Sequence, residues 1–224
     1  LSRVLEVAGG ICLAAVPVAL SVPKRTDAMR PKTSARGARV PRSVRLWAVA
    51  AFFGCIGANA SSVYFVAIGG ASGLSAPTAG ILLSVTAALA MATRGVAGAL
   101  ADRRPRGNAL VACAQMLAGA VGLLAISTTT IAGFVGGAVL LAVGQWGWAG
   151  LLLSAALRGS PDPARGAAAI QSGFFAGGAA GPVVFGSLLE LIPMSAALAV
   201  GAGLTVVAAA IALAGHRMAA RDRA

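Results

Sequence analysis

Apolar residues along this chain come in long unbroken blocks, separated by short turns and by clusters of basic residues. A helix needs roughly 20 predominantly apolar residues to cross about 30 Å of hydrocarbon with its backbone hydrogen bonds satisfied inside the segment. On that criterion the pattern predicts seven spans, at residues 4–22, 46–69, 77–101, 108–127, 131–154, 166–189 and 194–215. The connections near 127–130 and 190–193 are so short that the helices they join must be antiparallel neighbours. Membrane-spanning strands are excluded, because they alternate apolar and polar positions over segments of about 10 residues. The predicted fold class is therefore all-α, a polytopic bundle of membrane helices.

Composition sharpens this picture. With 58% hydrophobic and 11% charged residues, the chain lacks the polar surface of a water-soluble domain. Of the 18 Lys and Arg residues, 16 fall in four segments: 23–45, the turn holding Arg103, Arg104 and Arg106, the loop holding Arg158 and Arg165, and the tail holding Arg217, Arg221 and Arg223. The alternate connections, 70–76, 127–130 and 190–193, carry no cation. Positive loops are retained in the cytoplasm. The expected topology starts outside and ends inside, with Arg3 as a single outer exception. The richness in Ala, Gly and Arg suits a GC-rich bacterial genome, and the expected location is the bacterial inner membrane.

The net charge of +12 does not imply a nucleic-acid partner. No aromatic residue is interleaved among the cations of segment 23–45 to stack on bases, and basic residues there suit anionic headgroups. Pro23, Pro31 and Pro41 make this segment a loose linker between the first span and the other six. Cys12, Cys55 and Cys113 lie inside apolar spans without CxxC spacing, and the chain has one His, His216. They read as small buried hydrophobes, so no metal site and no cofactor is expected. No nucleophile with a base partner, paired carboxylates or phosphate-cradling loop is present, which leaves enzyme chemistry without support.

The most specific constellation runs from Arg94 to Arg106 (RGVAGALADRRPR). Gly95 and Gly98 lie about one turn apart and permit close helix approach, while Asp102 and three cations sit at the membrane boundary. This stretch resembles the cytoplasmic loop motif GxLADRxxRR of the major facilitator superfamily: Gly98, Leu100, Ala101, Asp102, Arg103 and Arg106 match, and Gly107 replaces the last basic residue. Further along, residues 163–169 resemble that family's P-x-x-R-G entry into its eleventh helix. That helix continues with Gly173, Gly177, Gly181, Pro182 and Gly186. Glycines at every fourth position make a packing face, and Pro182 can kink the helix beside it.

The resemblance implies the C-terminal portion of a transporter: helix six at residues 1–22, the central linker at 23–45, a six-helix bundle at 46–215 and a cytoplasmic tail at 216–224. A start at Leu1 without Met leads us to expect a truncated chain, whose missing N-terminal half would be its principal partner beside the lipid bilayer. The implied activity is secondary transport of a small-molecule substrate by alternating access. Drug or metabolite efflux and uptake of a small anion both remain open, as does a coupling proton. A membrane scaffold or sensor would explain the spans but not the motif.

Candidate site residues follow from the same resemblance. Asp102, Arg103 and Arg106 would gate the cytoplasmic mouth. Arg94 lies eight residues before Asp102, about 12 Å along the axis, and an intramembrane Arg is costly unless paired or facing water. It is expected to act as a gating partner or to bind an anionic substrate. The family's seventh and tenth helices line its cavity, which singles out Asn59, Ser62 and Tyr64, and then Gln145 and Trp148, each pair of which shares a face at i and i+3. Gln171 and Phe174 on the eleventh helix are further candidates. Ser61 and Ser62 can equally bridge helices, and Gln115 is expected to pack away from the cavity. Apart from Glu6, no acidic residue lies in the interior of a span, so a coupling proton would be carried by the missing half.

Overall fold

The computed structural model describes residues 39–103 and 107–222. The expected span at 4–22, most of the linker, Arg104, Arg106 and Arg223 lie outside the described residues. Within them the chain is helical: α1 (Arg42–Val63), α2 (Phe65–Ala71), α3 (Ala76–Arg103), α4 (Asn108–Ser127), α5 (Ile131–Leu140), a π-helical segment (Leu141–Gln145), α6 (Trp148–Gly159), α7 (Pro163–Leu191) and α8 (Met194–Arg221). Six stretches are long and apolar enough to cross a membrane, counting Ile131–Gly159 as one. Several helices run past the expected boundaries. Apolar periodicity marks the part in hydrocarbon, whereas α3, α6 and α8 each continue into a last turn bearing Arg103, Arg158 or Arg221. A cation there also complements the negative end of the helix dipole.

Two expected spans are broken. The span expected at 46–69 stops at Tyr64 and resumes as α2, and the one expected at 131–154 widens into the π segment and a turn at Trp146–Gly147 before resuming as α6. Local chemistry accounts for the first break. Just before it, Asn59 Nδ2 donates to the Cys55 carbonyl (3.1 Å), and the hydroxyls of Ser61 (2.9 Å) and Ser62 (3.1 Å) both donate to the Ala58 carbonyl. Side chains that bond back to the preceding turn weaken and bend a helix. A π segment inserts an extra residue into a turn, and here Gly144 lies within it and Gly147 in the turn that follows.

Lipid is as apolar as leucine, so helices in a membrane associate through close packing and interhelical hydrogen bonds. The α1–α7 contact is built on glycine. Gly173, Gly177 and Gly181 of α7 rest on the carbonyls of Ala48, Phe52 and Ile56 of α1, in step at every fourth residue along two parallel helices. A Cβ added at Gly181 would lie 2.7 Å from the Ile56 oxygen, and at Gly177 it would run into the Phe52 carbonyl. Pro182 lies within the continuous helix α7. Tyr64, at the break after α1, donates to the Pro182 carbonyl (3.4 Å), stacks at a tilt on Phe185 (5.1 Å) and lies over Gly186.

At mid-bundle a polar layer divides two apolar clusters. One cluster contains Trp47, Met116, Trp148, Leu152 and Ile170, and the other Phe65, Phe134, Ile126, Phe185 and Leu198. Between them lies Gln145, 1% exposed. Its Nε2 donates to the Gly54 carbonyl (3.2 Å) on α1 and to Thr205 Oγ1 (3.4 Å) on α8, and its Oε1 fills the space beside Gly119 on α4. One side chain from the broken helix thus hydrogen-bonds to two others and packs against a third. By contrast, only 17% of the apolar window of α3, and of α7, is buried, against 39–56% for the other spans.

Gly177→Ala should lower the stability of the purified protein by about 1–3 kcal/mol, read as a lower melting temperature in detergent. Gly203→Ala, where an added Cβ meets nothing within 4 Å, should change little. If the two glycines behaved alike, backbone seating would not be what holds α7. Gln145→Leu and Thr205→Val should each destabilise, with a coupling of about 0.6–1.7 kcal/mol in a double-mutant cycle. Strict additivity would show that the Gln145–Thr205 contact contributes nothing.

Candidate functional site, the clefts around Arg94

The least buried helices, α3 and α7, flank a concave face whose floor is α1 and the broken helix α5–α6. Two clefts open there. The first, about 370 Å³, lies between α1, α3 and the π segment and is lined by Ser62, Phe65, Thr86 and Met91 among others. The second, about 640 Å³, lies between α1, α6 and α7 and is lined by Cys55, Asn59, Gln171, Phe174 and Phe175 among others. Arg94 and Trp146 border both clefts and form the ridge between them. Both helix interruptions serve this face: Phe65 opens α2 just after the first, and Trp146 is the turn residue of the second.

The ridge has a defined geometry. The π segment and the turn after it leave the Trp146 carbonyl outside a regular helical ladder, and Arg94 Nε donates to it at 2.8 Å. The guanidinium carbon lies 5.4 Å from the centroid of the Trp146 ring. This is a cation–π arrangement, worth about 0.5–2 kcal/mol depending on desolvation. Arg94 is the one charged side chain in the interior of a described span. The described acids are all at helix ends: Asp102 in the last turn of α3, Asp162 capping α7, Glu190 near the end of α7 and Asp222 after α8.

Other expected site residues are distributed between the cleft and the core. Asn59, Ser62 and Gln171 line the clefts. Gln145 and Trp148 do share a face, but it is the inward one. Trp148, 1% exposed, presses on Gly54 and stacks on Phe174 at 5.2 Å, so it backs the cleft wall without reaching the cleft. Tyr64 faces α7. Trp146, one position from Gln145 and therefore about 100° round the helix, takes the cleft position that the pattern had suggested for its neighbours. The signal for it was present in the sequence, an aromatic residue one position beyond a buried amide and so off its face. Cys55, Met91 and Phe175 carried no such signal. Gln115 lies against Gly147 at the turn and also borders a separate groove between α3 and α4.

At the arginine-rich end of α3, Asp102 lies 3.7 Å from Arg158 of α6. Arg103 borders the α3–α4 groove, Arg106 lies outside the described residues, and both Gly95 and Gly98 face open space. Their small surfaces leave that side of α3 smooth and unoccupied by the rest of the described bundle. Among the described residues no three His, Cys, Asp or Glu side chains gather in one place.

A family model, described as Major Facilitator Superfamily, matches residues 5–171. No curated protein matches the chain. The family match spans the motif at Gly98–Arg103, both clefts' α1 and α3 walls and the whole of the broken helix. With the helical bundle, the six apolar spans and this match together, the chain belongs to the Major Facilitator Superfamily and is an integral membrane protein of a transporter family.

Proposed function

We propose that the chain supplies one half of a secondary active transporter, which moves a small molecule by rocking against a second six-helix half. The observation that carries this reading is the pair of clefts meeting at Arg94 and Trp146, on the face flanked by the two least buried helices. An opposing half set on that face would close both clefts over a substrate near mid-membrane. Broken helices bordering such a site suit transport, because irregular backbone is tolerated at membrane depth only where it is buried in protein or lines a cavity.

We assign the arginine-rich helix ends to the cytoplasm by the positive-inside rule, and the richness in Ala, Gly and Arg supports the inner membrane of a bacterium. On that assignment the Asp102–Arg158 pair sits at the cytoplasmic mouth. With side chains 83% and 45% exposed, it contributes at most about 1 kcal/mol, which suits a contact that forms and breaks in each cycle. The high exposure of Asp102 leaves it available to the opposing half, and Gly98 lets that half approach α3 closely. A coupling proton, if used, is carried outside the described spans, since their interiors hold no Asp, Glu or His.

Accessibility tests the rocking motion without knowledge of the substrate. Phe175→Cys, in a full-length protein whose native cysteines are replaced by serine, should react with a membrane-impermeant maleimide from one side of the membrane at a time. Adding Asp102→Asn should shift that reactivity toward the cytoplasmic side by up to about fivefold, as expected for loss of at most about 1 kcal/mol from the outward-facing state. Labelling that is identical from both sides, or indifferent to Asp102→Asn, would mark a static scaffold.

A further inference from the structure

We propose that the clefts bind an amphipathic organic monoanion, its carboxylate held by the terminal nitrogens of Arg94 and its apolar body lying against Phe174 and Phe175. This rests on the transporter reading and names the substrate class of the same site.

Charge comes first. Arg94 is the sole charge in the interior of a described span, and no described acid lines either cleft. Asp102 is eight residues away and lies beside Arg158. A guanidinium in an apolar setting needs a counter-charge, because isolating it from both water and a partner is expensive. A cationic ligand is repelled from this ridge, and a neutral one leaves the charge uncompensated.

Hydrogen-bond accounting then locates the anion. Of the guanidinium's N–H groups, Nε–H is taken by the Trp146 carbonyl, and the terminal nitrogens donate to no described residue. The bond through Nε and the ring of Trp146 beneath the group hold the plane in one orientation. The terminal pair is therefore left as a fixed fork at the boundary of the two clefts. A fork of that shape matches the two oxygens of a carboxylate.

The walls select the rest of the molecule. Cleft surfaces here are largely aromatic and aliphatic, with Asn59 and Gln171 as the polar groups on the Phe174–Phe175 side. Phosphate or sulfate would need many donors to replace its hydration shell, and a single guanidinium with two amides supplies few. A dianion would leave one charge unpaired in hydrocarbon. The larger cleft, at about 640 Å³, is within the size range of small-molecule sites, so a ring or short alkyl chain fits beside Phe174 and Phe175.

The test is equilibrium binding to the purified full-length protein, with benzoate, phenylacetate and hexanoate as probes. Benzamide serves as the neutral isostere of benzoate, and inorganic phosphate as the hydrophilic anion. We expect saturable binding of at least one monocarboxylate, at least about tenfold tighter for benzoate than for benzamide, and no competition by phosphate. Arg94→Gln should abolish the preference for benzoate over benzamide. Arg94→Lys should keep the sign of the preference while weakening it, because the fork is lost. Phe175→Ala should weaken hexanoate and benzoate binding without removing the charge preference. The benzoate-to-benzamide ratio is measured on the native protein, so it stands even if an Arg94 variant folds poorly. No saturable carboxylate binding, equal affinity for benzamide, or competition by phosphate would overturn the assignment. If labelling of Phe175→Cys still alternates between the two sides while no carboxylate binds, the anion assignment fails and transport stands. If neither occurs, the transporter reading fails as well.

Discussion

A buried amide holds this bundle in register. Gln145 projects from the point where its helix widens into a π turn, and its side chain reaches α1, α4 and α8 at once. In a membrane interior no water competes for such a group, and the apolar residues above and below it exert no preference for one neighbouring helix over another. The polar layer of Gln145 and Thr205 therefore specifies which helices adjoin and at what height. Gly57 and Gly119 make room for it: a Cβ at Gly57 would lie 2.8 Å from Thr205 Oγ1. Larger residues at either place would push the amide out and separate the helices that it joins.

The cleft is a consequence of that arrangement. Once Gln145 and Trp148 are committed to the core, Trp146 must face the other way, and its carbonyl becomes an acceptor for Arg94. The same commitment on α1 sends Asn59 and Ser62 toward the open face. On the far wall, α7 is held by backbone seating, with Gly173, Gly177 and Gly181 on the carbonyls of α1. Cα–H contacts to carbonyl oxygen at such close approach are weak individually. A face of this kind is smooth and tolerates displacement of one helix along another better than interdigitated large side chains would. Tyr64, bonded to the Pro182 carbonyl, pins its upper end.

Electrostatics are distributed in the opposite way from packing. Among the described residues nearly every charge is at or near a helix end, where water and headgroups solvate it, and the exposed Asp102–Arg158 contact holds little energy. Arg94 is the exception, and the structure invests in it: a carbonyl, an aromatic ring and two clefts are gathered around one guanidinium.

Much was legible from the chain alone. Six of the expected spans and the helix ends marked by arginine follow from length, hydropathy and charge, because a bilayer reads each segment almost independently of the others, while the motif at Gly98–Arg103 was legible through its resemblance to the family's loop. The i, i+3 relation of Gln145 to Trp148 was legible as well, since helical phase is local. The polar run Asn59, Ser61 and Ser62 and, at the second interruption, Gly144 and Gly147 carried the signal for the two breaks, although hydropathy averages over them. Which side of each helix meets the cleft was decided only by tertiary packing. A face is inward or outward only relative to neighbours, and in hydrocarbon those neighbours are chosen by the fit of glycines and one amide, which no single segment contains. For that reason the chain announced a membrane transporter by itself, while the meeting of Arg94 and Trp146 between two clefts had to await the fold.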